Sequence, residues 1–213
     1  SQRVCEFLGV SPEGKKIITC HIGNGGSITA VKDGKSIDTS MGLTPLEGLM
    51  MGTRSGDIDA GAVTFIMEKE NLTAAGVSDL LNKKSGVKGI FGVSSDMREL
   101  EAAVAAGNNK MADLTENMYF YRIKKYIGAY AAALGGVDII VFTGGVGENQ
   151  ASCRSGACEG LEYMGVKLDM EKNKVRGEEA VISADDSKVK VVVIPTDEEL
   201  MIASDTMAIL NKK

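Results

Sequence analysis

An almost wholly apolar segment followed by a cluster of glycines constrains the fold of this chain more than any other feature. Residues 137–143 read Val-Asp-Ile-Ile-Val-Phe-Thr, and the run Gly144-Gly145-Val146-Gly147 follows directly. A strand this apolar is too hydrophobic to be half exposed, so both of its faces must be covered. The glycines predict a turn into a helix over about 149–164. The segment therefore predicts a sheet flanked by helices, which is an α/β fold.

Four further strands can be placed from their composition and from the turns beside them. They are predicted at Lys16 to His21, Ser27 to Val31, near Lys35 to Thr39, and Val191 to Ile194. A glycine-rich turn separates the first two, and Asp33-Gly34 is a strong hairpin signal between the second and the third. The first forty residues therefore predict an antiparallel meander.

Apolar periodicity and capping residues predict the helices. They are expected near 60–70, 73–83, 97–106 and 110–134, with a final helix after Pro195. Asp96 is expected to cap the third of these, Gly135 and Gly136 to end the fourth, and Thr196 with Glu199 to form a capping box for the last. Residues 41–59 follow neither period and predict a long loop. We expect one α/β domain over residues 1–213, with a mixed sheet covered by helices.

The charge balance and the cysteines narrow the class of protein. The formal net charge is -5, which argues against a general nucleic-acid binder, since such a protein presents a basic face. No segment is apolar enough to span a bilayer, and no secretory signal is visible, so we expect neither a membrane partner nor export. The four cysteines show no CxxC pairing, and one histidine does not complete a zinc cluster. These features predict free thiols in a reducing compartment, the cytoplasm.

The first candidate motif is the segment His21-Ile22-Gly23-Asn24-Gly25-Gly26-Ser27. Several glycines in a turn expose backbone N–H groups that can surround phosphate oxygens. Asn24 adds a neutral donor and His21 a cationic one. A plain β-turn is the alternative, because asparagine and glycine are favoured there in any case.

The second motif is Thr143-Gly144-Gly145-Val146-Gly147-Glu148-Asn149, between a buried strand and a helix. α/β folds bind ligands at the carboxyl edge of the sheet, and a helix start offers free N–H groups. The match to a dinucleotide fingerprint is only partial, because Gln150 stands where the last glycine belongs, and no P-loop sequence occurs. Close packing of strand on helix is the alternative reading.

Three polar segments complete the candidates. Arg54, in the loop Gly52 to Asp59, is suited to clamp a phosphoryl group, whereas Asp57 and Asp59 are better explained by an Asx-turn and a helix cap. The segment Ser94 to Arg98 offers ribose or adenine contacts through Asp96, with a cap and a solvated arginine as the alternative. The carboxylates of Thr196 to Glu199 are either dipole complements of a helix start or magnesium ligands.

Together these segments resemble the acetate kinase family over essentially the whole chain. The most specific part runs from His21–Ser27 through Asp38–Gly48 to Gly52–Asp59. Three more motifs follow in the family's order: Ser95-Asp96-Met97-Arg98, Gly144 to Asn149, and Ile194 to Leu200. The resemblance implies a ribonuclease-H-like fold of the acetate and sugar kinase, Hsp70 and actin superfamily.

The resemblance also implies roles for individual residues. A phosphate-binding loop would comprise His21, Ile22, Gly23, Asn24 and Gly25. An adenosine motif would comprise Gly144, Gly145, Val146, Gly147 and Glu148, with Asp96, Met97 and Arg98 lining the nucleotide site. Arg54 would stabilise the phosphoryl group in transit, and Glu198 would help to place Mg²⁺.

Members of the family carry an earlier domain with a catalytic aspartate, a carboxylate-binding arginine, a further histidine and an asparagine near Mg²⁺, and none of those motifs occurs here. We therefore expect a fragment, the C-terminal nucleotide-binding and dimerisation half of a two-domain kinase. The complete homodimeric enzyme would transfer the γ-phosphoryl group of ATP to acetate, reversibly giving acetyl phosphate and ADP. Acetate would bind through the missing domain, and this half alone would turn over little or nothing.

Three alternatives remain open. A propionate or butyrate kinase would share most of these motifs, because the acceptor pocket lies mainly in the other domain. A stand-alone nucleotide-binding or dimerisation module would need only this half. A sugar kinase of the same superfamily is disfavoured by the segment Gly52 to Asp59.

Overall fold

The computed structural model describes residues 1–210, together with every side chain in that range except those of Glu198, Leu200, Met201, Ser204, Asp205 and Ala208. The strands are β1 (Lys16–Ile22), β2 (Gly26–Lys32), β3 (Lys35–Thr39), β4 (Ile139–Thr143), β5 (Ala180–Val181) and β6 (Lys190–Val193). The helices are α1 (Gln2–Leu8), α2 (Ala60–Lys69), α3 (Ala74–Lys83), α4 (Gly86–Phe91), α5 (Met97–Ala105), α6 (Lys110–Leu134), α7 (Gly144–Asn149), α8 (Ala151–Cys158) and α9 (Glu198–Leu210). Two 3-10 turns, Glu162–Met164 and Lys172–Lys174, lie between α8 and β5.

The six strands form one mixed sheet in the order β3-β2-β1-β4-β6-β5. The first three pair antiparallel, as the meander predicted. β4 lies parallel to β1, with Thr143 opposite His21, and β6 lies parallel to β4. Because parallel strands end at the same edge, the connections that leave β1, β4 and β6 meet there. This edge is the one at which α/β folds place their ligands.

Different helices cover the two faces of the sheet. Phe142 of β4 packs in the larger core cluster together with Ile127 of α6. Its neighbour Val141 points the other way and packs with Val4 of α1. Each such buried side chain contributes roughly 1.5–3 kcal/mol. The strongly apolar β4 is thus explained by burial on both faces.

The glycine run after β4 differs from the prediction. Gly144 alone makes the turn, with a φ of 78°, and α7 begins at once, so the expected four-residue turn is wrong. The single helix expected over 149–164 is also wrong. Gln150 is extended, with φ -107° and ψ 99°, and it separates α7 from α8. The chain leaves helical geometry again at Glu159.

Most other elements agree with the sequence to within a residue or two. Asp96 caps α5 by accepting from the N–H of Arg98, and Gly135 ends α6 with a φ of 68°. The capping box at Thr196 is wrong, because α9 begins two residues later and the N–H of Thr196 donates to Glu148 instead. The patterns missed α4 and the two-residue strand β5. Among residues 1–210, no helix is both long and apolar enough to cross a membrane.

Candidate functional site

Two adjoining cavities open at the shared edge of β1, β4 and β6. The larger, of about 690 Å³, lies between the start of α5 and the exposed side of α7. The smaller, of about 520 Å³, lies between the end of β1 and the connection from β6 to α9. Gly145 lines both. The two cavities thus form a continuous cleft along α7.

The cleft gathers most of the candidate residues. Of these, the larger cavity is lined by Gly23, Asn24, Asp96, Met97, Arg98, Gly145 and Val146. The smaller is lined by His21, Gly144, Gly145 and Glu148. Neither cavity wall includes Ile22, which is fully buried, nor Gly25, Gly147 and Arg54. The side chain of Glu198 lies outside the described part of the structure.

The glycine loop after β1 is fastened to the long loop that precedes α2. Gly23 donates its N–H to the carbonyl of Gly25 at 2.9 Å, so this amide is used within the loop. The carbonyl of Asn24 accepts from the N–H of Gly52 at 3.0 Å. A Cβ on Gly52 would lie 2.4 Å from Asn24 Oδ1, so only glycine allows this approach. Gly52 therefore determines where the side chain of Asn24 sits in the cavity wall.

Glu148 ties α7 to the connection between β6 and α9. Its Oε1 accepts from the N–H of Gly144 at 2.8 Å and from the N–H of Thr196 at 2.8 Å. The hydroxyl of Thr196 contacts that of Thr143 at 2.7 Å and also accepts from Gly144 N–H. The expectation of a free N–H at the helix start is therefore wrong for Gly144. The carboxylate organises the junction of the two cavities.

Asp96 and Arg98 form one hydrogen-bonded unit at the start of α5. The guanidinium of Arg98 donates Nε to Asp96 Oδ1 at 3.0 Å and Nη2 to Oδ2 at 2.6 Å. These side-chain bonds, and the bond from the backbone N–H of Arg98, lower the pKa of Asp96 to about 2. Asp96 is thus a cap and a fixed negative charge, and Arg98 is paired rather than merely solvated.

Arg54 lies beside the glycine loop, half-buried. Its Nη1 reaches the carbonyl of Pro45 at 3.4 Å and would lie 3.4 Å from a Cβ on Gly25. No carboxylate forms an ion pair with it in the described part of the chain. Because this guanidinium has no such ion pair, it can bind an anion without first breaking an internal salt bridge.

The two aspartates near Arg54 have structural roles. Asp59 caps α2 by accepting from Gly61 N–H at 2.9 Å, as expected. The Asx-turn expected at Asp57 is wrong, because its carboxylate accepts instead from Gly48 N–H at 2.8 Å and from the hydroxyl of Tyr126 at 2.8 Å. These bonds anchor the long loop on α6.

Three residues that shape the cleft were missed at the sequence level. Gln150 and Arg176 line the larger cavity, and Arg154 lies fully buried behind α7. Arg154 donates Nη1 to the carbonyls of Gly147 and Glu148, at 2.9 and 3.0 Å. Its only sequence signal is that it stands alone among small and apolar residues of α8.

The smaller cavity has ligands suited to a hard cation. Glu148, Asp197 and Glu199 all line it and offer carboxylate oxygens. Within the described residues, no three His, Cys, Asp or Glu side chains form a ready-made metal site. Mg²⁺ needs only one or two protein carboxylates when phosphate and water complete its shell. The side chains present therefore fit a magnesium ion carried by a bound phosphate.

The strand order, the mixed sheet and the cleft at the ends of the parallel strands define a ribonuclease-H-like α/β domain, which is the predicted fold class. The model of the acetokinase family matches residues 1–204. The chain belongs to the acetokinase family.

Individual relatives are similar over the whole chain. It is 86% identical to an acetate kinase of Phocaeicola vulgatus over 212 residues, which is 100% of this chain and 53% of that protein. The crystal structure of Porphyromonas gingivalis acetate kinase is 61% identical, with a TM-score of 0.96, over 98% of this chain and 52% of that one. A propionate kinase structure from Francisella tularensis is 41% identical, with a TM-score of 0.87, over 95% of this chain and 51% of that one. The chain spans about half the length of the curated relatives that it matches.

Proposed function

We propose that this chain is the nucleotide-binding half of an acetate kinase, which transfers the γ-phosphoryl group of ATP to acetate and gives acetyl phosphate and ADP reversibly. The observation that carries the proposal is the continuous cleft along α7, with the glycine loop after β1 at one end. Its support from the comparisons is the family match over residues 1–204. Residues 1–213 correspond to about half of each relative, so we propose that acetate binds mainly to a domain beyond them.

In this proposal the nucleotide lies along α7. The phosphates sit where the two cavities join, near Gly145, with Asn24 and His21 as side-chain donors from the β1 end. The adenosine occupies the larger cavity between Val146 and the Asp96–Arg98 unit. Gly25 and Gly147 line neither cavity and act indirectly: the carbonyl of Gly25 closes the loop onto Gly23, and the missing side chain of Gly147 lets α7 pack closely on Phe142 of β4. Ile22 is buried and supports the loop through its packing in the core.

Arg54 is proposed to stabilise the phosphoryl group during transfer. Its position beside Gly25, and the absence of a carboxylate partner among the described residues, support this role. Charge spreads over the equatorial oxygens of the phosphoryl group in the transition state, and a guanidinium fork matches that arrangement. Positioning and charge stabilisation are the main terms in such catalysis.

Magnesium is the cofactor that we propose. Of the described side chains, the carboxylates of Glu148, Asp197 and Glu199 at the smaller cavity would hold the ion, and Glu198 is added to them by the family resemblance alone. When bound, Mg²⁺ offsets the negative charge of the phosphates. The chain's own part is to keep Glu148 fixed by two backbone N–H groups, so that the junction of the cavities is rigid before the nucleotide arrives.

We also propose a cytoplasmic homodimer. Apolar side chains are exposed along one side of α6: Met111, Leu114, Met118 and Tyr121. A contiguous apolar stripe is typical of a surface that is covered by another protein. The four buried free cysteines are compatible with a reducing compartment.

A propionate kinase is the second candidate, favoured by the similarity to the Francisella tularensis structure. The full-length protein should be assayed with ATP, Mg²⁺ and an acetate, propionate and butyrate series, with the acyl phosphate trapped by hydroxylamine. Highest kcat/KM on acetate is expected. Highest kcat/KM on propionate would transfer the proposal to the second candidate, and no acyl phosphate with any acid would refute both. Residues 1–213 alone should yield little or none.

A further inference from the structure

Arg54 belongs to a closed loop, residues 48–57. The two ends of this loop bond to each other: Asp57 donates its N–H to the carbonyl of Gly48 at 3.0 Å, and Gly48 donates its N–H to Asp57 Oδ1 at 2.8 Å. Within the loop, Met51 is buried and donates its N–H to the carbonyl of Arg54 at 3.1 Å. The closed loop is therefore a compact unit, and a displacement of its ends should also displace Arg54.

Two side chains of α6 hold the ends of the closed loop. Tyr126 donates its hydroxyl to Asp57 Oδ2 at 2.8 Å. Arg122 donates Nη2 to the carbonyl of Asp57 at 3.3 Å, and its Nη1 lies 3.6 Å from Asp57 Oδ2. The ring of Tyr126 makes an edge contact with that of Tyr130, with 5.6 Å between the ring centroids. Burial and the bond to Asp57 raise the pKa of Tyr126, so its hydroxyl remains a donor at neutral pH.

These contacts also determine what the carboxylate of Asp57 can bind. Asp57 is the carboxylate nearest to Arg54 along the chain. Its Oδ1 accepts from the N–H of Gly48, and its Oδ2 is held by Tyr126 and Arg122. Both oxygens are thus occupied, and Arg54 forms no ion pair with a carboxylate of residues 1–210 whose side chain is described. A carboxylate that paired with Arg54 would compete with an incoming phosphoryl group.

We propose that Tyr126 and Arg122 are positioning residues for phosphoryl transfer, which act through Asp57 to hold Arg54 beside the glycine loop and free of a carboxylate partner. The inference rests on the role proposed above for Arg54. Neither residue lines a cavity of the cleft, so their effect on the reaction is indirect. Because charge spreads over the phosphoryl group during transfer, a displaced guanidinium lowers kcat more than it weakens nucleotide binding.

Acyl phosphate formation by the full-length protein, with ATP, Mg²⁺ and the best acid of the series, tests the inference. Tyr126→Phe removes only the hydroxyl and keeps the ring. We expect kcat to fall about tenfold, which corresponds to one lost hydrogen bond, while the KM for ATP and the calorimetric affinity for ADP stay within about twofold. Arg122→Met should also lower kcat, and Arg122→Lys, which keeps the charge, should give an intermediate value. Tyr163→Phe, at an exposed tyrosine outside the closed loop, is the matched control and should leave kcat unchanged.

The same substitution in an Arg54→Lys background separates positioning from a general loss of structure. Tyr126→Phe should lower kcat less in that background than in the wild type, because the guanidinium that it positions is gone. Wild-type kcat in both Tyr126→Phe and Arg122→Met would overturn the inference. Equal losses of kcat in the two backgrounds would do the same, as would parallel losses of kcat, ADP affinity and melting temperature. If the wild type forms no acyl phosphate, the proposed function fails and this inference with it, whereas an active wild type with unaffected variants refutes the inference alone.

Discussion

The guanidinium of Arg154 donates Nε to Oδ1 of Asn173 at 2.8 Å, and both side chains are buried. Arg154 also donates to the carbonyls of Asn173 and Val175, and Asn173 Nδ2 donates to the carbonyl of Ala151 at 2.9 Å. No carboxylate in the described part of the chain neutralises this guanidinium. Carbonyl oxygens from the end of α7 and from residues 173–175 surround it instead. The pair therefore joins the wall of the larger cavity to the segment that carries Arg176.

Replacing Arg154 should therefore lower the free energy of unfolding and loosen the wall of the larger cavity. Arg154→Met leaves several buried carbonyls and Asn173 Oδ1 without a donor, and we expect a loss of about 3–5 kcal/mol, because each buried oxygen left unpaired costs about 1–3 kcal/mol. Arg154→Lys retains the positive charge but not the planar set of N–H donors, so it should recover only part of the lost stability. Urea unfolding measures both. The exposed Arg3→Met is the control, and a similar shift in its midpoint would show that burial is not the cause.

Glu148 should stabilise both the fold and the binding site, because it joins α7 to the connection between β6 and α9. Glu148→Ala frees the N–H groups of Gly144 and Thr196 at once, and we expect about 1–2 kcal/mol less stability and weaker binding of ADP with Mg²⁺. Glu148→Gln keeps an acceptor oxygen and should lose less. Thermal unfolding with and without the nucleotide gives both quantities. The exposed Glu13→Ala should change neither, and full ADP affinity in Glu148→Ala would contradict a junction role.

The sequence predicted the strands and the long helices well because their signals are local. The apolar run at β4 and the Asp33-Gly34 hairpin each carry their own evidence. The helix over α6 showed its apolar face and its terminal Gly135 directly. Elements that are determined by contacts between residues close in sequence can therefore be predicted from local patterns.

The details of the cleft depend on contacts between distant residues and were harder to predict. Thr196 and Glu199 have capping-box spacing, but Glu148, from a helix far earlier in the chain, takes the N–H of Thr196. Gln150 stands in a segment whose residues favour a continuous helix, yet it is extended. Arg154 has no motif around it, and its burial depends on residues 173–175. At Thr196 a tertiary contact thus overrides the local preference, and at Arg154 tertiary contacts decide a burial that no local pattern signals.

The pair formed by Asp96 and Arg98 predicts a dependence of stability on pH. The pKa of Asp96 is about 2 in the folded chain, against about 3.9 when unfolded. A lowered pKa means that the stabilising contribution is complete above about pH 4 and is lost as the pH falls towards 2. Asp96→Asn keeps the cap but not the charge. It should melt below the wild type at pH 7, and the difference should vanish near pH 2.

Thermal melts of wild type and Asp96→Asn across pH 2 to 7 check this, with Arg98→Gln as a second variant. Arg98→Gln removes the side-chain bonds that lower the pKa of Asp96 most but keeps the bond from the backbone N–H of residue 98, so its pH dependence should lie between those of the wild type and Asp96→Asn. A constant difference in melting temperature between wild type and Asp96→Asn at every pH would mean that the cap, and not the charge, is responsible.

Gly52 should be required for the shape of the phosphate end of the cleft. In Gly52→Ala the new Cβ would meet Asn24 Oδ1 at 2.4 Å and the carbonyls of Asn24 and Ser95 at 3.3 Å, so the side chain of Asn24 must move. Because that side chain is at the cavity wall, ADP and tripolyphosphate should both bind about tenfold more weakly, the loss of one hydrogen bond to a phosphate. Gly128→Ala is the matched control: a Cβ there meets nothing within 4 Å, and in the middle of α6 alanine should stabilise by about 0.5–1 kcal/mol. Calorimetric titration of both variants with ADP and tripolyphosphate measures the difference between Gly52→Ala and its control. Wild-type affinity of Gly52→Ala for tripolyphosphate would show that Asn24 does not contact the phosphates.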